Sequence, residues 1–315
     1  MTLGRVAVLQ PFGFLAIEEV EIPAPTGFQV AVEMFAAGIG TVDVALLAQS
    51  DMPDWQPIVP GIEGVGLVTA VGELAERVKV GDQVVIGTTP ALPGRDAAPP
   101  VLTFDVGAIQ TDRPISTWTT NAVVDEQFLS PVPRDLAADR DCLALLGDTA
   151  LIAAALATQW TDAKADEAIV VAGGGGLALA AIAALRAAGS EHVIALAPGH
   201  AHASASAAGA SLCLEPGEDL AATGARHGLD CGADDAGAGA PLDHAIQWID
   251  ARDPGKPLDR AHAMATLTGW IAAGTFNPSV AIGKRYTIEQ INEAVMELES
   301  GRIAGAGIVV MEPLK

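Results

Sequence analysis

The chain has 315 residues, long for one hydrophobic core and ample for two domains. Half of it is hydrophobic, 18% is charged, and 34 glycines with 20 prolines divide it into short runs, the composition of a folded, turn-rich protein. Seventeen basic residues face 39 acidic ones for a formal charge of −22, and so acidic a surface repels phosphate backbones and anionic bilayers, so neither nucleic acid nor a membrane is expected as a partner.

The N-terminal MTLGRVAVLQPFG lacks the apolar core of an export signal, and no stretch approaches the ~20 uninterrupted apolar residues of a membrane span. Up to about residue 135 the pattern alternates with period two between glycines and prolines, as half-buried strands do. Gln29 to Phe35, Gly64 to Ala70 and Lys79 to Ile86 are the clearest such runs, the last fed by a Gly81-Asp82 turn. From Asp141 the texture becomes Ala/Leu-rich helix. A buried strand is then expected at Ala168 to Val171, a helix at Leu177 to Ala188 closed by Gly189, and a second strand at His192 to Leu196. This βαβ unit begins a parallel sheet. Thr287 and Gln290 are spaced as a capping box, followed by an apolar stripe of Ile288, Ile291, Val295 and Leu298 and by Gly301 as C-terminal cap. A last strand is expected at Gly307 to Met311.

Cys142, Cys213 and Cys231 form no CxxC pair and no disulfide framework, which fits a reducing cytoplasm, the expected location. All six histidines lie after residue 190: His192, His200, His202, His227, His244 and His262. Any metal site in the first half must therefore do without them.

Four segments, in order, resemble the medium-chain dehydrogenase/reductase superfamily: IVPGIEGVGLVTAVG with VGDQVV, STWTTNAVVDEQFLSPVP, VVAGGGGLALAAIAALRAAG, and GWIAAGTF with RYTIEQINEAVMELESGRIAGAGIVV. The resemblance implies an α/β chain: a GroES-like β-rich catalytic domain at 1–123 and 276–315, and a Rossmann-like doubly wound parallel sheet at 124–275. It also implies a homodimer joined through the cofactor domain, with a small-molecule substrate in the cleft between domains.

The zinc positions of that superfamily are lost in turn. Its GxCxxD stretch reads Gly38-Ile39-Gly40-Thr41-Val42-Asp43, its PGHE reads Pro60-Gly61-Ile62-Glu63, and its third ligand region reads Gly147-Asp148-Thr149-Ala150. Residues 88–115, where a structural-zinc lobe would fall, contain no cysteine. Asp43, Glu63 and Asp148 offer oxygen alone, a donor set suited to magnesium or calcium rather than zinc, so no metal is expected. PGIEGVG and Val42-Asp43 are similar to the zinc-free quinone oxidoreductase and enoyl reductase branch, which passes hydride to an electron-poor carbon. A conjugated carbonyl already spreads the developing charge onto oxygen.

Gly173-x-Gly175-x-x-Ala178 fits the dinucleotide pattern between a strand and a helix, so Gly173, Gly174, Gly175, Gly176 and Ala178 are the expected cofactor cradle. The second strand ends at Ala197, without the acid that holds an NAD ribose, and the nearby His200 and His202 replace arginine. NADPH is therefore expected, with NADH as the alternative. The interval from Ala197 to Leu258 is short for the remaining βα units at about 30 residues each, so the second half of that domain is expected to be abbreviated or rearranged.

Thr149 aligns with a nicotinamide contact and reads equally as a helix-start hydroxyl. Asp148 fits a proton relay or a helix N-terminal acid. Thr41 fits a substrate hydroxyl or a turn residue, and Trp55 and Ile62 fit pocket walls or core filling. The competing reading is a degenerate family member without redox activity, using the cleft for a non-redox step or for ligand binding.

Overall fold

The computed structural model describes residues 2–10, 13–47, 58–92, 95–97, 99–104, 107–110, 114–159, 166–232, 246–252 and 258–311. The chain forms two compact units, one of residues 1–148, 285–296 and 308–315, the other of residues 149–284 and 297–307.

The first unit contains β1 (Thr2–Leu9), β2 (Leu15–Ile22), β3 (Gln29–Ile39), α1 (Thr41–Leu47), β4 (Gly64–Val71), β5 (Gln83–Ile86), β6 (Val101–Phe104), β7 (Gly107–Gln110), β8 (Asn121–Asp125) and β9 (Leu129–Pro131), followed by a 3-10 helix at Arg140–Leu146. Side chains of β3 alternate between half-buried and buried from Gln29 to Ala36, as QVAVEMFA predicts, before the strand end becomes wholly buried. β5 is shorter than the run from Lys79 suggests. Gly81 takes φ 92° and Lys79 N–H donates to Asp82 Oδ2 at 3.0 Å, so the turn consumes the first four residues of that run. One sheet has the order β1-β2-β6-β7. Val6, Val8, Val20, Ile22, Val59, Leu102, Phe104 and Val123 form its core cluster.

The second unit contains α2 (Thr149–Gln159), β10 (Ile169–Ala172), α3 (Gly176–Ala187), β11 (Val193–Leu196), α4 (His202–Ala208), β12 (Leu212–Leu214), β13 (His227–Asp230), β14 (Gln247–Asp250) and α5 (Arg260–Ala272). β15 (Ile282–Thr287), α6 (Ile291–Glu299) and β16 (Ala306–Val310) complete the chain. The larger sheet of the first unit runs β15-β16-β3-β4-β5-β9, with β8 also paired to β3.

The second unit's sheet has the order β12-β11-β10-β13-β14 with every neighbour parallel. In chain order that is 3-2-1-4-5, the first five positions of the doubly wound order among the described residues. Every residue of β10 and β11 is buried, which is why IVVA and VIAL read as unbroken apolar runs rather than alternating ones. Among the described residues the sheet has five strands of three or four residues each. Three of them, β12, β13 and β14, carry no pattern that the sequence reading recognised.

The two compact units divide at Asp148/Thr149. The reason is that β9 pairs with β5 and the 3-10 helix at Arg140–Leu146 packs on β3, holding that stretch in the first unit. Much of GADDAGAGAP and the middle of DARDPGKPLD lie outside the described residues. Among the described residues no single helix is long and apolar enough to cross a membrane.

Candidate functional site

The three segments that resemble zinc-ligand stretches meet in the first unit around one carboxylate, Glu63, which is 2% exposed. Its Oε2 accepts the Asp148 N–H at 3.1 Å, and its backbone oxygen accepts from Gly38 N at 3.1 Å and Thr117 Oγ1 at 3.0 Å. A β-carbon on Gly38 would lie 2.5 Å from Glu63 Oε1, and one on Gly147 would lie 3.0 Å from Glu63 Cβ. Glycine at 38 is thus what leaves this carboxylate its place, whereas at 147 the nearer obstacle to a side chain is Ile86 O, 1.8 Å from the added carbon. Trp118, fully buried, closes the knot with Nε1 donating to Gly38 O at 3.0 Å. Gly61, at φ 101°, passes so near Thr117 and Trp118 that a side chain there would collide with both.

Around this knot stand the expected catalytic groups. Asp148 accepts Thr88 Oγ1–H on Oδ1 at 2.5 Å and is 9% exposed. Thr41 opens α1 and is half-buried, and Asp43 Oδ2 accepts the Gly40 N–H at 3.0 Å, which makes Asp43 a fixture of that helix start. Ile62 is half-buried beside Gly61. Trp55 lies outside the described residues. Gly40 and Ile62 supply no side-chain donor, the 147–150 stretch offers the Asp148 carboxylate and the Thr149 hydroxyl, and Glu63 and Asp43 are already engaged with backbone N–H groups, so a tetrahedral zinc with soft ligands does not fit these residues. Nor do Asp43, Glu63 and Asp148 bring three oxygens within 4.8 Å of one another. They do not assemble as a carboxylate metal site.

Among the described residues the one group of donors that close is Asp139, Asp141 and Cys142. Arg285 occupies it, with Nε donating to Asp141 Oδ2 at 2.5 Å and Nη2 to Cys142 Sγ at 3.5 Å. Burial raises the Asp141 carboxyl, but the Arg285 hydrogen bond and charge outweigh it and hold the group below its ordinary range. Burial first, and then the Asp141 charge, push the Cys142 thiol up to about 11. A protonated, buried thiol is neither a nucleophile nor a metal ligand at neutral pH.

In the second unit the glycine turn takes the place expected for a cofactor cradle. Gly173 has φ 121° and its Cα side faces Gly232, where a β-carbon would stand 3.3 Å from that backbone. Gly175 is the N-cap of α3 and makes no side-chain capping bond, which leaves the first-turn N–H groups without a side-chain acceptor. Gly176 approaches Ala306, whose Cβ an added methyl would meet at 2.6 Å, and Gly174 O accepts from Gly305 N at 2.9 Å. Ala178 is buried, allowing α3 to close on β10. Thr149 opens α2 and is half-buried. This cradle fits the pyrophosphate of a dinucleotide. Ala197 is buried at the end of β11 and His200 is exposed beyond it. His202 turns back, its Nε2 2.8 Å from Ala197 O, so it is not aimed outward as a phosphate contact.

Residues 26–134 match the family of alcohol dehydrogenase GroES-like domains. A geraniol dehydrogenase from Castellaniella defragrans is 28% identical over 95% of this chain and 95% of its own. Both matches make the chain similar to the medium-chain dehydrogenase/alcohol dehydrogenase superfamily, the family model over its first domain and the geraniol dehydrogenase over nearly its whole length. An alcohol dehydrogenase from Moraxella sp. is 46% identical over 83 residues, covering 25% of this chain and 24% of that enzyme, so this match spans about a quarter of its length. An alcohol dehydrogenase zinc-binding domain protein from Burkholderia ambifaria has the same fold, with TM-score 0.80 at 22% identity over 99% of this chain and 100% of that one.

Sequence reasoning missed Thr117, Trp118 and Thr88 as members of the knot. STWTTN signalled a conspicuous run of hydroxyls and a tryptophan, but nothing in its spacing says that Trp118 reaches Gly38, 80 positions away.

Proposed function

We propose that this chain is a metal-independent oxidoreductase that transfers hydride between a nicotinamide dinucleotide and a quinone or an α,β-unsaturated carbonyl compound. The observation that carries the reading is the donor set: Gly40 and Ile62 stand at two of the zinc-ligand positions without a side-chain donor, and the Glu63 carboxylate beside them is bonded to Asp148 N–H. A plain ketone or alcohol needs a Lewis acid on its oxygen, whereas a conjugated acceptor delocalises the charge itself. The nicotinamide supplies the hydride when bound. The chain's part is to hold it and to manage a proton: the glycine turn and the N-terminus of α3 hold the pyrophosphate, and the Asp148 carboxylate with the Thr88 hydroxyl forms a relay that can pass a proton toward the acceptor oxygen. Thr41 is the second hydroxyl we assign to the acceptor. The superfamily's NADPH and NADH differ by one phosphate, and the choice turns on the groups around Gly199.

The test is oxidation of NADH and NADPH by a panel of quinones and enones, set against oxidation of primary alcohols, before and after dialysis with a chelator. Reduction of the conjugated acceptors that survives chelation, with less than stoichiometric zinc by elemental analysis, is the expected result. Alcohol oxidation that vanishes with a stoichiometric metal would overturn the reading. Absence of binding by either dinucleotide would favour the non-redox alternative.

A further inference from the structure

The loop after β11 lies against the glycine turn: a β-carbon on Gly174 would stand 3.0 Å from Ala201 Cβ and 3.7 Å from Pro198 Cδ. β12 ends beside the same loop, where Ala197 N–H donates to Leu214 O at 2.9 Å. The next residue is Glu215, and its side chain comes back over the end of β11. A β-carbon on Gly199 would lie 2.5 Å from Glu215 Oε1, so glycine at 199 leaves the carboxylate its place. Glu218 fixes the backbone there, its Oε2 accepting Glu215 N–H at 2.8 Å and its own N–H donating to Glu215 O at 3.1 Å. Among the described residues no cation pairs with the Glu215 carboxylate. His202 is spent on Ala197 O, and His200 is an exposed imidazole.

A dinucleotide whose pyrophosphate rests on the N-terminus of α3 lays its adenosine ribose across the end of the neighbouring strand, here β11. A carboxylate in that position accepts hydrogen bonds from the ribose hydroxyls. A 2′-phosphate would bring its charge against Glu215 and Glu218, with which no arginine or lysine pairs among the described residues, a like-charge contact in a place that NADP recognition fills with cations.

We propose that Glu215, reaching over from the end of β12, replaces the ribose acid missing at Ala197 and makes the chain select NADH over NADPH. The proposal rests on the reading of the glycine turn as a nicotinamide dinucleotide site, and it reverses the preference that Ala197 alone suggests. Isothermal titration of the full chain with NADH and with NADPH tests both. The expected result is NADH bound about tenfold or more tighter than NADPH, with Glu215→Gln moving the ratio toward one by weakening NADH and strengthening NADPH. Glu215→Lys should reverse it. Circular dichroism and melting of each variant show that the fold is kept, since Glu215 is exposed and touches no core residue. If wild type binds both dinucleotides equally or prefers NADPH, or if Glu215→Gln leaves the ratio unchanged, the role of Glu215 falls while the cofactor site stands. If neither dinucleotide binds, the site and the proposal fall together.

Discussion

Glu63 shows how one side chain redirects a site. A metal would draw three segments of the chain to a point; here a single carboxylate does so with Asp148 N–H and close packing on Gly38. Leaving such an acid buried is tolerable only because backbone donors meet it. The sequence displayed the losses at positions 40 and 62 plainly, since glycine and isoleucine bear no donor. It could not display that Glu63 gathers the three stretches, because nothing local in PGIE distinguishes a bystander from an organiser. Cys142 was legible in the same limited way, as apolar filler with no histidine near. Its surroundings add a measurable consequence. With the thiol raised to about 11, iodoacetamide should label native Cys142 slowly at pH 8 and rapidly once the chain is unfolded. The sign follows: a thiol whose folded value lies above its unfolded one adds stability below about pH 9, and that contribution is lost as pH climbs toward 11. Fast native labelling of Cys142 at pH 8 would contradict the burial that causes the shift.

Elements with strong local signals were readable to within a residue or two. The strand–helix–strand of β10, α3 and β11 announced itself because parallel strands buried on both faces are apolar throughout, and because glycines bracket the helix. The capping box before α6 is formed as spaced, with Thr287 N–H donating to Gln290 Oε1 at 3.1 Å and Gly301 turning at φ 60° after the helix. Thr287→Ala should therefore cost about 1 kcal/mol, seen as a melting temperature lower by roughly 2–4 °C, while Thr287→Ser should restore most of it. No loss in the alanine variant would mean that tertiary packing, not the cap, holds that helix start. By contrast α1, with only seven residues of TVDVALL, has too few turns to show a helical stripe, and its start is defined by Asp43 bonding back to Gly40. Strands β12, β13 and β14 escaped notice because three or four residues such as LCL or HGLD carry no periodicity of their own; they are strands because a parallel neighbour pairs with them.

Across the whole molecule, a formal charge of −22 means that folding gathers like charges. Added salt screens that repulsion over about 10 Å at 0.1 M, so the melting temperature should rise by several degrees between about 10 mM and about 0.5 M sodium chloride. A fall over that range would show that ion pairs such as Lys284–Glu297 outweigh the net repulsion. Composition, the order of superfamily-like segments and the absence of metal donors were all fixed locally, by residue type and spacing along the chain. They determined the two-part architecture and left no cysteine or histidine at positions 40 and 62. Which groups meet was decided by tertiary structure, because it depends on strands far apart in sequence. Gly38, Glu63, Trp118 and Asp148 converge through sheet pairing, and Glu215 reaches Gly199 because β12 lies beside β11. Charge and hydrogen-bonding act over a few ångströms of space, a separation that sequence distance does not encode.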